Sequence, residues 1–157
     1  MATETAPDHD ARGHRYCLVA ASFNEAYVRR LVDAALDVLR GRGAADADLE
    51  VRWVPGSFEL PLACRWAAAS GRFDAVLAFG TLIRGETEHF RLVAESVTRG
   101  LQSVALETGV PVLHGVLAVH DAAQAAARTG GELGNRGAEV ALAAVAMAGL
   151  RRRVEAR

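Results

Sequence analysis

Lysine is absent: all 18 basic residues of the 157-residue chain are arginines. Schiff-base chemistry, whether aldolase-like or through pyridoxal phosphate, therefore has no side-chain amine to use. A phosphate loop built on lysine is excluded for the same reason. Any phosphate must be met by guanidinium or backbone N–H groups. Cysteine is scarce too. Cys17 and Cys64 both sit within apolar runs, where two thiols acting as small buried hydrophobes are the simplest reading, and nothing beside them suggests a secreted disulfide framework. No apolar stretch approaches the ~20 residues needed to cross a bilayer. A net charge of −1 gives no basic excess for nucleic acid or an anionic membrane. The opening MATETAPDHDARGHR is polar and lacks the apolar core of a signal peptide. Residues 1–14 read as a flexible tail on a cytoplasmic protein.

What is present suits one globular domain over residues 15–157. The chain is 51% hydrophobic and 24% charged, and its length is enough to bury a real core. Short apolar runs alternate with helical patterns. RYCLVAA (15–21) is β-rich, and Asn24 offers an N-cap for a helix carrying Tyr27, Leu31, Ala34 and Val38. LEVRWV (49–54) alternates like a strand and is punctuated by Pro55-Gly56. Residues 58–70 read as a helix, FDAVLAFG (73–80) as a buried strand, and the face Phe90, Val93, Ala94, Val97, Leu101 and Val104 as a long helix. VPVLHGVLAV is a fourth strand. A short helix over 121–128, a glycine-rich turn and an alanine-rich helix over 136–153 complete the chain. Strands alternating with helices predict an α/β protein whose parallel sheet is covered on both faces.

In such sheets ligands bind beyond the carboxyl ends of the strands, and polar residues collect there in this sequence. GTLIRGETEHF (80–90) places Gly85 at a turn, followed by Glu86, Thr87, Glu88 and His89 at a helix start. Free N–H groups there, with the Thr87 hydroxyl, make an anion cradle, although Thr87 or Glu88 serving as a simple cap explains the same residues. An imidazole in the first turn can move protons near neutrality, and His89 is the candidate acid/base; a purely structural histidine is the bland alternative. Glu59 in PGSFE suits either a helix start or a polyol and urea-like ring. Phe23 and Phe58 fall in loops, where they fit stacking on a planar ring or satellite core packing equally well. Arg128 reads as a surface arginine or a phosphate clamp. His114 and His120 have no metal-ligand spacing with each other or with the cysteines, and no metal is expected.

Taken in order, SFNE, VPGSFELP, GTLIRGETEHF, LETGVPV and GNRGAE closely resemble the motifs of the lumazine synthase family of riboflavin biosynthesis, from about Tyr16 to Leu150. The resemblance implies a three-layer α/β/α sandwich around a flavodoxin-like four-stranded parallel sheet. It implies condensation of 5-amino-6-(D-ribitylamino)uracil with 3,4-dihydroxy-2-butanone 4-phosphate, with no organic cofactor. Phe23, Ser57, Phe58, Glu59, Thr81, Leu82 and Ile83 match the family's pyrimidine site. Glu86, Thr87 and Arg128 match the phosphate-substrate site, and His89 matches the proton shuttle. His114 stands where the family usually has a phenylalanine that reaches a neighbouring subunit's site. The family's five-fold rings, with active sites between subunits, imply a homopentamer or an icosahedral multiple of it, and riboflavin synthase as a partner. Against this stand a non-catalytic lumazine- or flavin-binding protein, or a shell protein, of the same fold, and a generic flavodoxin-like binder.

Overall fold

A computed structural model describes residues 1–156. Four strands, β1 (Tyr16–Ala21), β2 (Leu49–Val54), β3 (Ala75–Ile83) and β4 (Val112–Val119), form one parallel sheet in the order β2-β1-β3-β4. This is the parallel sheet covered on both faces that the alternation predicts, in the flavodoxin-like form that the family resemblance implies. Helices α1 (Glu25–Gly41) and α5 (Arg136–Glu155) cover one face, and α2 (Leu60–Ala69) and α3 (His89–Thr108) cover the other.

Strand alternation divides the core in two. Leu18, Leu77 and Phe79 point towards α1 and α5, where Val28, Leu31, Val32, Ala35 and Leu39 form a buried helical stripe. Val19, Val76 and Ala78 point the other way, against Leu60, Cys64, Val97 and Leu101. Both cysteines lie in this second layer as free, buried thiols. The small residues of α5 let it approach α1 closely: Gly137 sits against the Leu31 backbone, where a β-carbon would collide with the carbonyl. No helix among the described residues is long and apolar enough to cross a membrane.

Several boundaries differ from the sequence expectation. β3 does not stop at Gly80 but continues through Thr81, Leu82 and Ile83, because these pair with Leu117, Ala118 and Val119 of β4. The segment expected as one helix over 58–70 begins with a 3-10 turn, Ser57–Glu59, before α2. The glycine-rich turn after α4 (Ala122–Arg128) is an antiparallel hairpin of β5 (Thr129–Gly131) and β6 (Gly134–Asn135). Packing also starts before residue 15. Ala11 is buried and donates its N–H to the Arg42 carbonyl at 2.9 Å, and His14 is buried beside it. Arg152 of α5 reaches the Gly13 carbonyl at 3.1 Å.

Candidate active site

The sheet order reverses between β1 and β3: the chain passes from β1 to β2 on one side and from β3 to β4 on the other. The crevice this leaves at the carboxyl ends is where such folds bind ligands. An open cleft of about 970 Å³ lies there. The loop after β1, the Pro55–Glu59 segment after β2, the end of β3 and the first turns of α3 enclose it.

Backbone hydrogen bonds hold the first two walls together. Ser22 N–H donates to the Val54 carbonyl at 2.8 Å, and Phe23 N–H to the Pro55 carbonyl at 3.1 Å. Glu59 Oε2 accepts the Gly56 N–H at 3.0 Å, which shapes the 3-10 turn and orients the carboxylate. Ser57, only 6% exposed, is packed beneath the cleft. Phe23 and Phe58 are 68% and 63% exposed and belong to neither core layer. Satellite core packing therefore does not account for them within this chain. Two aromatic faces left open beside polar backbone suit a planar ring.

The third wall combines Leu82 and Ile83 with Gly85, Thr87 and His89. Thr87 Oγ1 accepts the His89 N–H at 3.3 Å, while Glu88 holds the N-cap position of α3 without a side-chain capping bond. Leu92 N–H makes the first bond back to the Glu88 carbonyl at 3.1 Å. The N–H groups of Phe90 and Arg91 precede it at the positive end of a 20-residue helix. The His89 side chain is exposed and lines the cleft. Glu88 is turned to Arg91 at 2.8 Å, and Arg91 also reaches Glu95 at 3.1 Å. Arg84 extends the sheet by donating its N–H to the Val119 carbonyl at 2.8 Å.

The cleft thus gathers Phe23, Ser57, Phe58, Glu59, Leu82, Ile83, Thr87 and His89. Four other candidates lie outside it. Thr81 is 1% exposed, and by strand alternation its side chain faces the α1 and α5 layer with Phe79. Glu86 is exposed in the 84–88 turn and does not line the cleft. Arg128, at the end of α4, folds back on the Gln124 carbonyl at 3.3 Å. His114 sits on the edge strand β4, and its Nε2 shares a hydrogen bond with Thr98 Oγ1 at 2.9 Å. Burial pushes the His114 imidazole below its ordinary pKa; a backbone hydrogen bond opposes the shift and Arg136 adds to it.

Some lining residues were not singled out from the sequence. Phe90 and Val93 look like core positions by spacing, yet with Leu92 and Ser96 they form the α3 side of the cleft. The signal was present in their position directly after His89, but helical periodicity alone assigns such residues to the interior. Asn24 was expected to cap α1. It occupies the N-cap position but makes no side-chain capping bond; its Nδ2 instead donates to the Thr81 carbonyl at 2.8 Å.

Residues 13–152 match the family model for 6,7-dimethyl-8-ribityllumazine synthase. The chain belongs to that family. Three relatives bear the family's name as their own. The protein of Halorhodospira halophila is 49% identical over 142 residues, 90% of this chain and 91% of that one. That of Desulfotalea psychrophila is 46% identical over 140 residues, 89% and 90% of the two chains. That of Chlorobium phaeobacteroides is 44% identical over 142 residues, 90% and 92%. The lumazine synthase likeness therefore spans the whole sheet, α1 to α4 and α5 as far as Arg152, somewhat beyond the Tyr16–Leu150 range expected from the motifs.

Proposed function

We propose that this chain condenses 5-amino-6-(D-ribitylamino)uracil with 3,4-dihydroxy-2-butanone 4-phosphate. The product is 6,7-dimethyl-8-ribityllumazine, with release of phosphate and water, the penultimate step of riboflavin biosynthesis. One observation carries this reading in a lumazine synthase family member. The open aromatics, the Ser57–Glu59 segment and the His89 helix start all face one cleft at the β1/β3 crevice.

The chemistry suits a chain without lysine. The pyrimidine brings its own amine to the carbonyl of the second substrate, so no enzyme amine is required. The protein must juxtapose two substrates, move protons and stabilise a departing phosphate. Phe23 stacks on the pyrimidine ring, while Ser57, Phe58 and Glu59 hold the ring and the ribityl chain. Leu82 and Ile83 meet the pyrimidine edge directly, and Thr81 contributes through its backbone. Glu86, Thr87 and the free N–H groups of α3 receive the phosphate-bearing partner. His89 shuttles protons between the two. Neither an organic cofactor nor a metal takes part in this scheme.

Arg128 and His114 act in the cleft of an adjacent subunit, which makes the working unit a homopentamer or a multiple of it, icosahedral shells included. Two features support this. Both side chains stand away from their own chain's cleft. In addition, Phe58, Leu62 and Trp66, at helical spacing and 63%, 54% and 67% exposed, form an apolar strip beside it; contiguous exposed apolar surface of this kind commonly marks a protein interface. Riboflavin synthase, which consumes the product, is the expected partner. Two free buried thiols agree with a reducing, cytoplasmic location.

The test is an assay of the purified protein with both substrates, following lumazine formation and phosphate release together. Stoichiometric release is expected. Binding of the pyrimidine without turnover would favour a non-catalytic binder and sink this reading. Sedimentation velocity distinguishes pentamer, decamer and shell.

A further inference from the structure

The loop that carries Phe23 is held by a contact that helix capping does not explain. Among the described residues Asn24 is the only non-glycine with a positive φ, at φ 59° and ψ 39°. Asparagine tolerates this left-handed conformation better than most residues, but it still costs free energy. A helix N-cap does not need it, since the usual N-cap backbone is extended and the usual N-cap side chain accepts a helix N–H. Asn24 does neither. Its amide crosses instead to the carbonyl of Thr81, at 2.8 Å. β1 is in register with β3 only as far as Phe79. The Asn24 amide stands in for the strand that is missing beyond that point.

That bond ties together the two sides of the crevice. Phe23 precedes Asn24, and Leu82 and Ile83 follow Thr81, so each end of the bond is adjacent to residues that line the cleft. Phe23 is 68% exposed, so side-chain packing does not orient it. Its place is set by the backbone: the Phe23 N–H on the Pro55 carbonyl at 3.1 Å on one side, and the Asn24 amide on Thr81 on the other. We propose that Asn24 is a positioning residue that fixes the spacing between the Phe23 ring and the end of β3, and so sets affinity for the planar ring substrate. It rests on the function proposed above. Asn24 acts through Phe23 and the β3 end, and it discriminates between the substrates: the phosphate-bearing one meets the α3 start, which Asn24 does not touch.

Two variants test this. Asn24→Gly keeps the left-handed backbone available and removes the amide. Asn24→Asp keeps the shape but turns a carboxylate oxygen towards the Thr81 carbonyl. KM for the pyrimidine, and its Kd in equilibrium binding without the second substrate, are expected to rise about three- to tenfold in Asn24→Gly and more in Asn24→Asp, the range for losing one hydrogen bond. KM for the butanone phosphate and kcat are expected to stay close to wild type. Unchanged pyrimidine KM and Kd in both variants, beside an active wild type, would overturn the Asn24 assignment alone. So would equal losses for both substrates accompanied by a lower Tm, the mark of a merely structural residue. A wild type that binds the pyrimidine without turnover would overturn the enzymatic reading, and the Kd series would still decide the role of Asn24.

Discussion

Ser57 lies directly against Gly80. A β-carbon on Gly80 would come within 2.5 Å of the Ser57 hydroxyl oxygen and 3.3 Å of Leu60 Cδ1. Gly80 is needed here for space, since its φ is not in the left-handed region. The missing side chain lets the 3-10 turn after β2 settle onto β3, and Ser57 of that turn lines the cleft.

Gly80→Ala is expected to push the Ser57–Glu59 segment outward. Crowding of this kind typically costs about 1–3 kcal/mol. The fold should survive, because the layers on either side are extensive. Urea unfolding would show the loss of stability, and KM for the pyrimidine should rise. A variant with unchanged stability and KM would show that the turn relaxes freely.

His89→Ala should leave the structure intact while turnover collapses. The side chain is exposed, and the local contact it would disturb, the N–H on Thr87 Oγ1, belongs to the backbone. Loss of general acid/base catalysis is worth about 10²–10⁴-fold in kcat. Steady-state kinetics with circular dichroism and sedimentation would check both halves. Unchanged kcat would remove His89 from proton transfer.

Arg128 tests the sharing of sites between subunits. Among the described residues its guanidinium makes one bond, to its own helix at the Gln124 carbonyl, so truncation costs the fold little. Arg128→Ala should raise KM for the phosphate substrate by about tenfold or more, the size of a lost charge-assisted contact, with pyrimidine Kd unchanged. Mixing Arg128→Ala with His89→Ala subunits before assembly should restore part of the activity if one chain supplies the arginine to the next. No recovery, with mixed rings shown to form, would place Arg128 and His89 in the same chain's site or remove Arg128 from the site.

Acid should loosen the N-terminal packing through His14. Burial holds its imidazole below the ordinary pKa, Arg152 adds to the shift, and Asp74, Asp10 and Asp8 oppose it. Its Nδ1 is buried and makes no hydrogen bond among the described residues, so the neutral ring is the form that fits. The unfolded chain takes up the proton more readily than the folded one. The stability owed to His14 is therefore complete above about pH 6.5 and is lost as pH falls below that value towards the folded pKa. Denaturant midpoints taken from about pH 7.5 down to about pH 5 should fall more steeply for wild type than for His14→Phe. Parallel curves would show that His14 does not titrate differently on folding.

The sequence by itself determined the layers and the motif-bearing loops. Alternating apolar runs allow little else but a covered parallel sheet, and Leu31, Val97 and Leu101 fall on the predicted buried faces because helical periodicity is a local property. The absence of lysine settled which amine chemistry was impossible, and the motifs fixed the family. Only the tertiary structure decided which loops share one cleft and how they are held. β3 runs to Ile83 because β4 is there to pair with it, which periodicity in β3 does not contain. Asn24 looks like a cap in any local reading, and its true acceptor, the Thr81 carbonyl, is brought to it by the fold. Phe90 has core spacing but faces the cleft, and Val93 packs against the core while also lining it, since burial depends on what lies opposite a helix. Contacts between residues distant in the chain arise from the packing of whole elements, and no single stretch such as GTLIRGETEHF carries them.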